Sequence, residues 1–217
     1  MAEAIRVVLV DDETLLRQSL ANLLNRRRGL RVVGEADTAD QALDVTRTTG
    51  PDVVVLAPEV ADNGVMLVTD LSHALPGCPI LVLTREEDPG GAGRALRAGA
   101  QGYLRKTCGL NDLVRAIERV HAGELIVASV EAGAVLSELS SEATREGSPS
   151  GLTARELDVV KLIARGRTNA AIARELYITE HTVKGHLVRI LNKLKLINRV
   201  QLATYATQQG LADEPEA

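Results

Sequence analysis

The sequence predicts an α/β domain with a doubly wound five-stranded parallel sheet, followed by a small all-α domain of four helices containing a helix-turn-helix. Up to residue 124, short apolar runs alternate with helical patterns. Strands that are apolar on both faces are typical of parallel sheets covered by helices. From Leu152 onward every pattern is helical. The first domain is acidic and the second is basic, which favours a nucleic-acid-binding module attached to a separate partner domain.

Five strand patterns, each followed by a helical pattern, make up the first domain, residues 1–124. Such a domain places its binding crevice at the carboxyl ends of the strands. The predicted strands are Ile5–Val10, Leu30–Glu35, Asp52–Leu56, Ile80–Thr84 and Gln101–Leu104, and the predicted helices are Glu13–Arg26, Ala39–Thr48, Val65–Ala74, Arg94–Ala98 and Leu110–Ala122.

Residues 125–150 change in character and predict a linker. They contain one helical pattern, Val130–Leu139, and then a tract rich in Ser, Gly, Pro and Glu. Residues 151–217 form the second domain and end in an acidic tail. Without that tail, residues 151–210 carry ten Lys or Arg and four Asp or Glu.

Capping residues mark the four helices of the second domain. Thr153 and Glu156 form a capping box, and Asn169, Thr179 and Asn198 stand at the predicted starts of the next three helices. The third of the four helices, Thr179–Lys195, carries a regular apolar stripe on one face. The other face is polar and largely basic, with Lys184, His186, Arg189, Asn192 and Lys193.

The turn Tyr177–Ile178 joins this basic helix to the short helix before it. Two short helices with a tight turn, the second one basic, are typical of a helix-turn-helix whose second helix enters the major groove of DNA. Taken alone, the stretch is also compatible with an amphipathic surface helix whose basic face is solvated. The capping box, the preceding helix and the excess of positive charge favour DNA binding.

Composition excludes several classes of protein. The chain has no Phe or Trp and only three Tyr, so nucleic-acid binding by base stacking on aromatic side chains is not expected. Cys78 and Cys108 have neither a C-x-x-C pairing nor zinc-finger spacing, which favours reduced thiols and a cytoplasmic location. Neither a signal peptide nor a membrane-spanning run is expected.

Polar residues follow the predicted strands of the first domain. Asp11 and Asp12 end the first strand, Thr84 ends the fourth, and Tyr103 and Lys106 lie at the end of the fifth. Two carboxylates, a hydroxyl and a lysine in one crevice would suit a magnesium-assisted phosphoryl site. The third strand instead ends in Ala57 and Pro58, which supply no nucleophile.

Residues 5–122 resemble the receiver domain of two-component response regulators. The resemblance implies that Asp11 and Asp12 are the metal-binding acids, Thr84 the switch hydroxyl, Tyr103 the switch aromatic residue and Lys106 the phosphate-contacting lysine. It also places Ala57 where the family carries its phospho-accepting Asp.

A methyl group cannot attack a phosphoryl group, so aspartyl phosphorylation at position 57 is excluded. We expect no cofactor and no metal site, or at most weak magnesium binding by Asp11 and Asp12 with the backbone carbonyl of Glu59. Lys106 should then pair with Asp12 or Asp11.

The flanks of Ala57 also depart from the family pattern. Val60-Ala61 replaces the usual Met-Pro, the loop glycine falls early at Gly64, and the stretch after Thr84 is rich in glycine. An engineered Asp→Ala substitution would leave these flanks intact, so we favour a naturally degenerate receiver and keep the engineered form as the alternative.

Residues 152–194 together with Arg199 resemble the LuxR-type DNA-binding domain. The two resemblances together place the chain in the NarL/FixJ class of response regulators. The resemblance implies a groove-facing set comprising Lys184, Gly185, His186 and Val188. Phosphate-positioning or structural roles fall to the remaining DNA-binding candidates, Asn169, Thr179, Thr182, Val183, Arg189, Lys193 and Arg199.

The predicted function is a transcription regulator that binds double-stranded promoter DNA as a homodimer. Its degenerate receiver would act constitutively or respond to a small molecule or protein at the crevice. A receiver used mainly as a protein-interaction module is the competing hypothesis. An enzyme is not expected, because the chain has no P-loop, no nucleophile–base pair and no complete metal cluster.

Overall fold

The computed structural model describes residues 4–85, 88, 90–127 and 152–211 of the 217-residue chain. The predicted helix Val130–Leu139 and the acidic tail after residue 211 lie outside the described residues. The described part forms an α/β domain followed by a helical domain.

A parallel sheet of six strands, with the order β2-β1-β3-β4-β5-β6, is the framework of the first domain. The prediction of five strands was wrong, because Ile126 pairs with Gly102 and Val127 with Tyr103 at the edge of the sheet. This added strand is only two residues long, so it has no periodicity that sequence reasoning could detect. The strands are β1 Ile5–Val10, β2 Leu30–Ala36, β3 Val53–Leu56, β4 Ile80–Thr84, β5 Gly102–Arg105 and β6 Ile126–Val127.

Five helices cover the two faces of this sheet. They are α1 Thr14–Asn25, α2 Ala39–Thr49, α3 Gly64–Ala74, α4 Gly91–Ala98 and α5 Leu110–His121. Successive β1 residues alternate between the faces, with Val8 in the core beneath α2, α3 and α4 and Val7 in the core beneath α1 and α5. Both residues have no exposed surface, which explains why this strand reads as an unbroken apolar run.

Four helices make up the described part of the second domain: α6 Ala154–Ala164, α7 Asn169–Glu175, α8 Glu180–Leu194 and α9 Arg199–Gln208. The predicted caps at Thr153, Thr179 and Asn198 are confirmed, including both bonds of the capping box. The cap predicted at Asn169 was wrong. Thr168 takes that position, because its hydroxyl accepts the backbone N–H of Ala171 while Asn169 begins the helix.

Strand order reverses between β1 and β3, since β2 lies on one side of β1 and β3 on the other. In doubly wound sheets, the carboxyl ends of the strands at such a point form the ligand crevice. Asp11 follows β1 and Ala57 follows β3, so the predicted pocket residues border this crevice.

Candidate functional site

The crevice brings together polar groups from the ends of three strands. Lys106, just after β5, places its Nζ 2.8 Å from Asp11 Oδ2. Its backbone N–H donates to the carbonyl of Thr84 at 2.7 Å, which ties the end of β5 to the end of β4. Asp11 and Lys106 are both nearly buried, with side chains 6% and 9% exposed, so their pairing is shielded from water.

Glu13 is a second partner of Lys106, and sequence reasoning did not identify it. Its Oε1 lies 2.7 Å from Lys106 Nζ. This hydrogen bond lowers the pKa of the Glu13 carboxyl more than any other influence. Burial lowers the pKa of Lys106, but the hydrogen bonds that it donates to Asp11 and Glu13, with the charges of these two carboxylates, outweigh burial. The pKa of Lys106 is therefore raised.

The predicted pairing of Lys106 with Asp11 is therefore present, whereas Asp12 lies elsewhere. The Asp12 carboxylate is half-exposed and 3.9 Å from the guanidinium of Arg85. Asp12 does not cap α1 either. The Glu13 backbone N–H donates to Asp11 Oδ1 at 2.9 Å, and Glu13 occupies the N-cap position without a side-chain capping bond.

Glu59 is the second acid whose side chain sequence reasoning did not identify, because that side chain matches no part of the recognised pattern. It lies in a short 3-10 turn, Pro58–Val60, directly after Ala57. Its Oε1 accepts the Thr84 hydroxyl at 2.5 Å and the Arg85 backbone N–H at 2.7 Å. Burial raises the pKa of this carboxyl, but these and further bonds, with the charge of Lys106, produce a net lowering.

Ala57 itself is buried, and its backbone N–H donates to the carbonyl of Val10 at 2.8 Å. Within the part of the chain that the structure describes, no group of three or more His, Cys, Asp or Glu side chains is arranged to hold a metal ion. Beside the crevice lies a cavity of about 270 Å³, whose lining includes Glu59, Thr84, Tyr103, Asp88 and Arg94. Tyr103 is buried, consistent with its position on β5.

The basic helix α8 is fixed in the second domain by one apolar face. Val183, Leu187, Ile190 and Leu191 are buried against the other helices of that domain. Because Val183 has no exposed surface, it can affect DNA binding only by positioning the helix. Thr182 and Arg189 are exposed.

One flank of α8, beside its buried apolar face, packs against the first domain. Lys184 Nζ lies 2.9 Å from His121 Nε2 and 3.7 Å from Asp52 Oδ1. Val188 lies beside Gly77 of the first domain, since a Cβ atom placed on Gly77 would be only 2.9 Å from Val188 Cγ2. Two of the groove-facing candidates are therefore in contact with the first domain.

Two further hydrogen bonds join the domains. The backbone N–H of Asn169 donates to the carbonyl of Ala122, and the side chain of Asn198 donates to the carbonyl of Leu96, both at 3.0 Å. The first-domain residues at this interface precede strands or end helices. They form the amino-terminal edge of the sheet, opposite the crevice.

His121, the last residue of α5, faces the second domain. The residue is partly buried, and its ring faces Lys184. Burial is the largest cause that lowers the pKa of His121, and the nearby charge of Lys184 lowers it further.

Several other DNA-binding candidates have partners within the protein. Arg199 is 8% exposed and donates to Asn169 Oδ1 at 2.9 Å. Lys193 Nζ lies 2.6 Å from Glu156 Oε2, which joins α8 to α6 and, with the capping bonds, lowers the pKa of Glu156 to about 2. Among the described atoms, His186 Nδ1 is buried without a hydrogen-bond partner. These contacts favour structural roles for Lys193, Asn169 and Arg199.

Comparison with known proteins identifies the family. Residues 7–118 match the response regulator receiver domain, and residues 150–206 match the bacterial regulatory proteins of the luxR family. The chain belongs to the LuxR-type response regulators. Proteins of this kind are DNA-binding transcription regulators rather than enzymes.

Similarity to members of this family extends over nearly the whole chain. Transcriptional regulatory protein LiaR of Bacillus subtilis is 36% identical over 96% of this chain and 100% of that protein. The nitrate/nitrite response regulator protein NarL of Escherichia coli is 33% identical over 96% and 98%. The crystal structure of the response regulator ChrA, from a heme-sensing two-component system, matches with a TM-score of 0.50 and 32% identity, covering 97% of this chain and 100% of that one.

Among the described residues of this LuxR-type regulator, no helix has the length and apolar character needed to cross a membrane.

Proposed function

We propose that this LuxR-type regulator binds promoter DNA through α8 and that its receiver domain holds this helix in a docked position until the two domains separate. The observation that carries the proposal is the engagement of Lys184 by His121 and Asp52. A side chain paired with the receiver cannot at the same time contact a base edge. The docked arrangement therefore competes with DNA for the same face of the helix.

Lys184 is proposed as the main polar reader of the major groove, with Val188 contacting thymine methyl groups and Gly185 allowing close approach. His186 completes the groove-facing set. Thr179, Thr182 and Arg189, which are exposed at the start and flank of α8, are proposed to contact phosphates. Asn169, Val183, Lys193 and Arg199 position the helix through the contacts described above.

Two copies are proposed to bind together, because one recognition helix reads too few base pairs for useful specificity. A homodimer would place two α8 helices on half-sites about 34–36 Å apart, which is one turn of DNA.

Regulation is proposed to proceed without aspartyl phosphorylation at position 57. Ala57 is buried after β3 and offers only a methyl group, and its carboxylate neighbours are paired with Lys106, Arg85 and Thr84. Separation of the domains is then constitutive or is driven by a small molecule or protein that binds at the crevice. An Asp codon at position 57 of the genomic gene would instead identify the chain as an engineered form of a phosphorylation-dependent regulator.

Lys184→Ala tests the DNA-binding part. Footprinting, beginning with the protein's own promoter, would define the site, and fluorescence anisotropy would measure its affinity across a salt series. We expect the variant to lose at least tenfold in affinity, about 1.4 kcal/mol, and wild-type binding to weaken steeply with salt. Arg31→Ala removes the same charge from an exposed position on β2 and serves as the control.

Because this substitution also removes the docking contact, Lys184→Ala is compared with His121→Gln, which weakens the same contact but keeps Lys184. Equal promoter affinities for the two variants would contradict Lys184 as the reading residue, and unchanged regulation in cells would favour the interaction-module hypothesis. Phosphorylation is tested separately by incubating the protein with acetyl phosphate and magnesium and measuring its intact mass. We expect no hydroxylamine-sensitive phosphoryl adduct. An adduct that altered DNA affinity would refute phosphate-independent control.

A further inference from the structure

The carboxyl end of β4 presents two hydrogen-bond donors to the crevice. They are the hydroxyl of Thr84 and the backbone N–H of Arg85, and both point to a single oxygen, Glu59 Oε1, at 2.5 and 2.7 Å. Two converging donors at the end of a parallel strand form a site suited to an anion. The distances are those of charge-assisted bonds to an ionised carboxylate.

We propose that the Glu59 carboxylate is a built-in anion that occupies the oxyanion-binding position of this crevice. Removing it would uncover a site for a tetrahedral oxyanion such as inorganic phosphate or sulfate. This crevice is the one for which we proposed regulation without aspartyl phosphorylation. The proposal about Glu59 does not depend on DNA binding.

Local sequence explains how Glu59 reaches this position. The turn Pro58–Val60 directs the chain from the end of β3 towards the end of β4, so Glu59 lies beside Thr84 although 25 residues separate them. Ala57, two residues earlier, carries no charge and leaves no second carboxylate at the start of this turn.

The cations of the crevice are also taken up by the protein's own acids. Lys106 is paired with Asp11 and Glu13. The guanidinium of Arg85 lies 3.5 Å from Glu13 Oε1 and 3.9 Å from Asp12 Oδ2. An incoming oxyanion would therefore have to displace Glu59 from its two donors and also approach several carboxylates, which like-charge repulsion opposes.

The second carboxylate oxygen of Glu59 could accept a hydrogen bond but receives none. Its Oε2 is buried and has no hydrogen-bond partner among the described atoms. A buried acceptor without a donor costs free energy, so this carboxylate is held by the two bonds to Oε1 and not by a fully satisfied pocket. Those two bonds decide where the negative charge lies.

The experiment compares inorganic phosphate and sulfate binding to the full-length wild type and to Glu59→Ala, with sodium chloride matching the ionic strength. Binding is followed by the chemical shift of the Arg85 backbone amide in NMR spectra and by isothermal titration calorimetry. We expect no saturable binding by the wild type and saturable millimolar binding by Glu59→Ala, with the Arg85 amide among the most shifted signals.

Two further variants separate occupancy from charge. Asp62→Ala removes a negative charge from the exposed wall of the same cavity but leaves both donors engaged, so it should gain no site. Glu59→Gln retains an oxygen that can accept from Thr84 and Arg85, so it should gain much less affinity than Glu59→Ala.

Equal phosphate binding by wild type and Glu59→Ala would overturn the proposal, as would failure of a folded Glu59→Ala protein to bind. Equal gains in Glu59→Ala and Asp62→Ala would also overturn it, because they would reduce the effect to net charge. Promoter affinity, measured in parallel, tests the proposed function independently, since the wild type can bind DNA whether or not its crevice accepts phosphate.

Discussion

The two edges of the receiver sheet differ in what their polar groups contact. At the carboxyl edge, Asp11, Glu13 and Lys106 bond to one another, and Glu59 bonds to Thr84 within the same domain. At the amino-terminal edge, polar groups also contact the second domain, in addition to bonds within the receiver such as the one from the Arg6 backbone N–H to Asp52 Oδ2. The clearest examples are His121 and Asp52, which face Lys184 of the DNA-binding helix.

This difference separates the residues that carry the family pattern from those that hold α8. The pattern is concentrated at the carboxyl edge, where its members are engaged internally. The docking contacts come from loop residues and helix ends that no motif marks. Helices α3 and α4 begin beside the crevice cavity. The end of α3 lies near Val188 of α8, and α4 bonds to Asn198 near its end, so these two helices are the elements through which a change at one edge could reach the other.

The largest expected effect lies at the carboxyl edge. Lys106→Met removes the cation beside Asp11 and leaves a nearly buried carboxylate without its partner. Loss of one member of such a pair costs about 3–5 kcal/mol, measured as the free energy of unfolding in urea. Arg94→Ala breaks an exposed pair with Asp88 and should cost only about 0–1 kcal/mol. Similar losses in the two variants would show that the crevice pair is not shielded from water.

A smaller effect, on promoter affinity, is expected from a bulky side chain inserted between the amino-terminal edge of the receiver and α8. Gly77→Leu introduces a side chain against Val188, so the docked state should lose population and promoter affinity should rise about tenfold, or about 1.4 kcal/mol. Gly29→Leu is the matched control. Its φ of +86° resembles the +83° of Gly77, so backbone strain is comparable, but a Cβ atom placed on Gly29 would meet no other atom within 4 Å. Equal affinities for the two variants would argue against docking by this edge.

The smallest expected effect is a pH dependence of docking through His121. Burial and then the charge of Lys184 lower the pKa of His121 below 6.5, while Asp52 and Glu180 oppose this change. The docked state thus disfavours protonation, so its stability is complete above the ordinary pKa of histidine and is lost as the pH falls through the lowered value.

Acidification should therefore increase the promoter affinity of the wild type by less than about tenfold. The increase should be smaller in His121→Gln. Fluorescence anisotropy at a series of pH values provides the measurement. The difference between the two proteins at each pH is the informative quantity. An identical pH profile for both would remove His121 from the docking switch.

Sequence alone established most of the secondary structure and the family. Unbroken apolar runs such as Ile5–Val10 identified buried parallel strands, and the caps at Thr153, Thr179 and Asn198 located three helix starts. These features are local, because a strand buried on both faces needs apolar residues throughout and a helix start needs an oxygen to accept its free N–H groups. An apolar run identifies a strand only when it extends over several residues. The two-residue strand β6 is too short to be predicted in this way.

Tertiary structure decided which groups meet. Glu59 and Thr84 are 25 residues apart, His121 and Lys184 are 63 residues apart, and neither pair has a spacing that predicts contact. Sequence placed Lys184 on the polar face of a basic helix and Ala57 at the end of a strand. Only the packed chain placed Lys184 against the receiver and the Glu59 carboxylate beside Thr84, because these contacts depend on how separate elements converge in space.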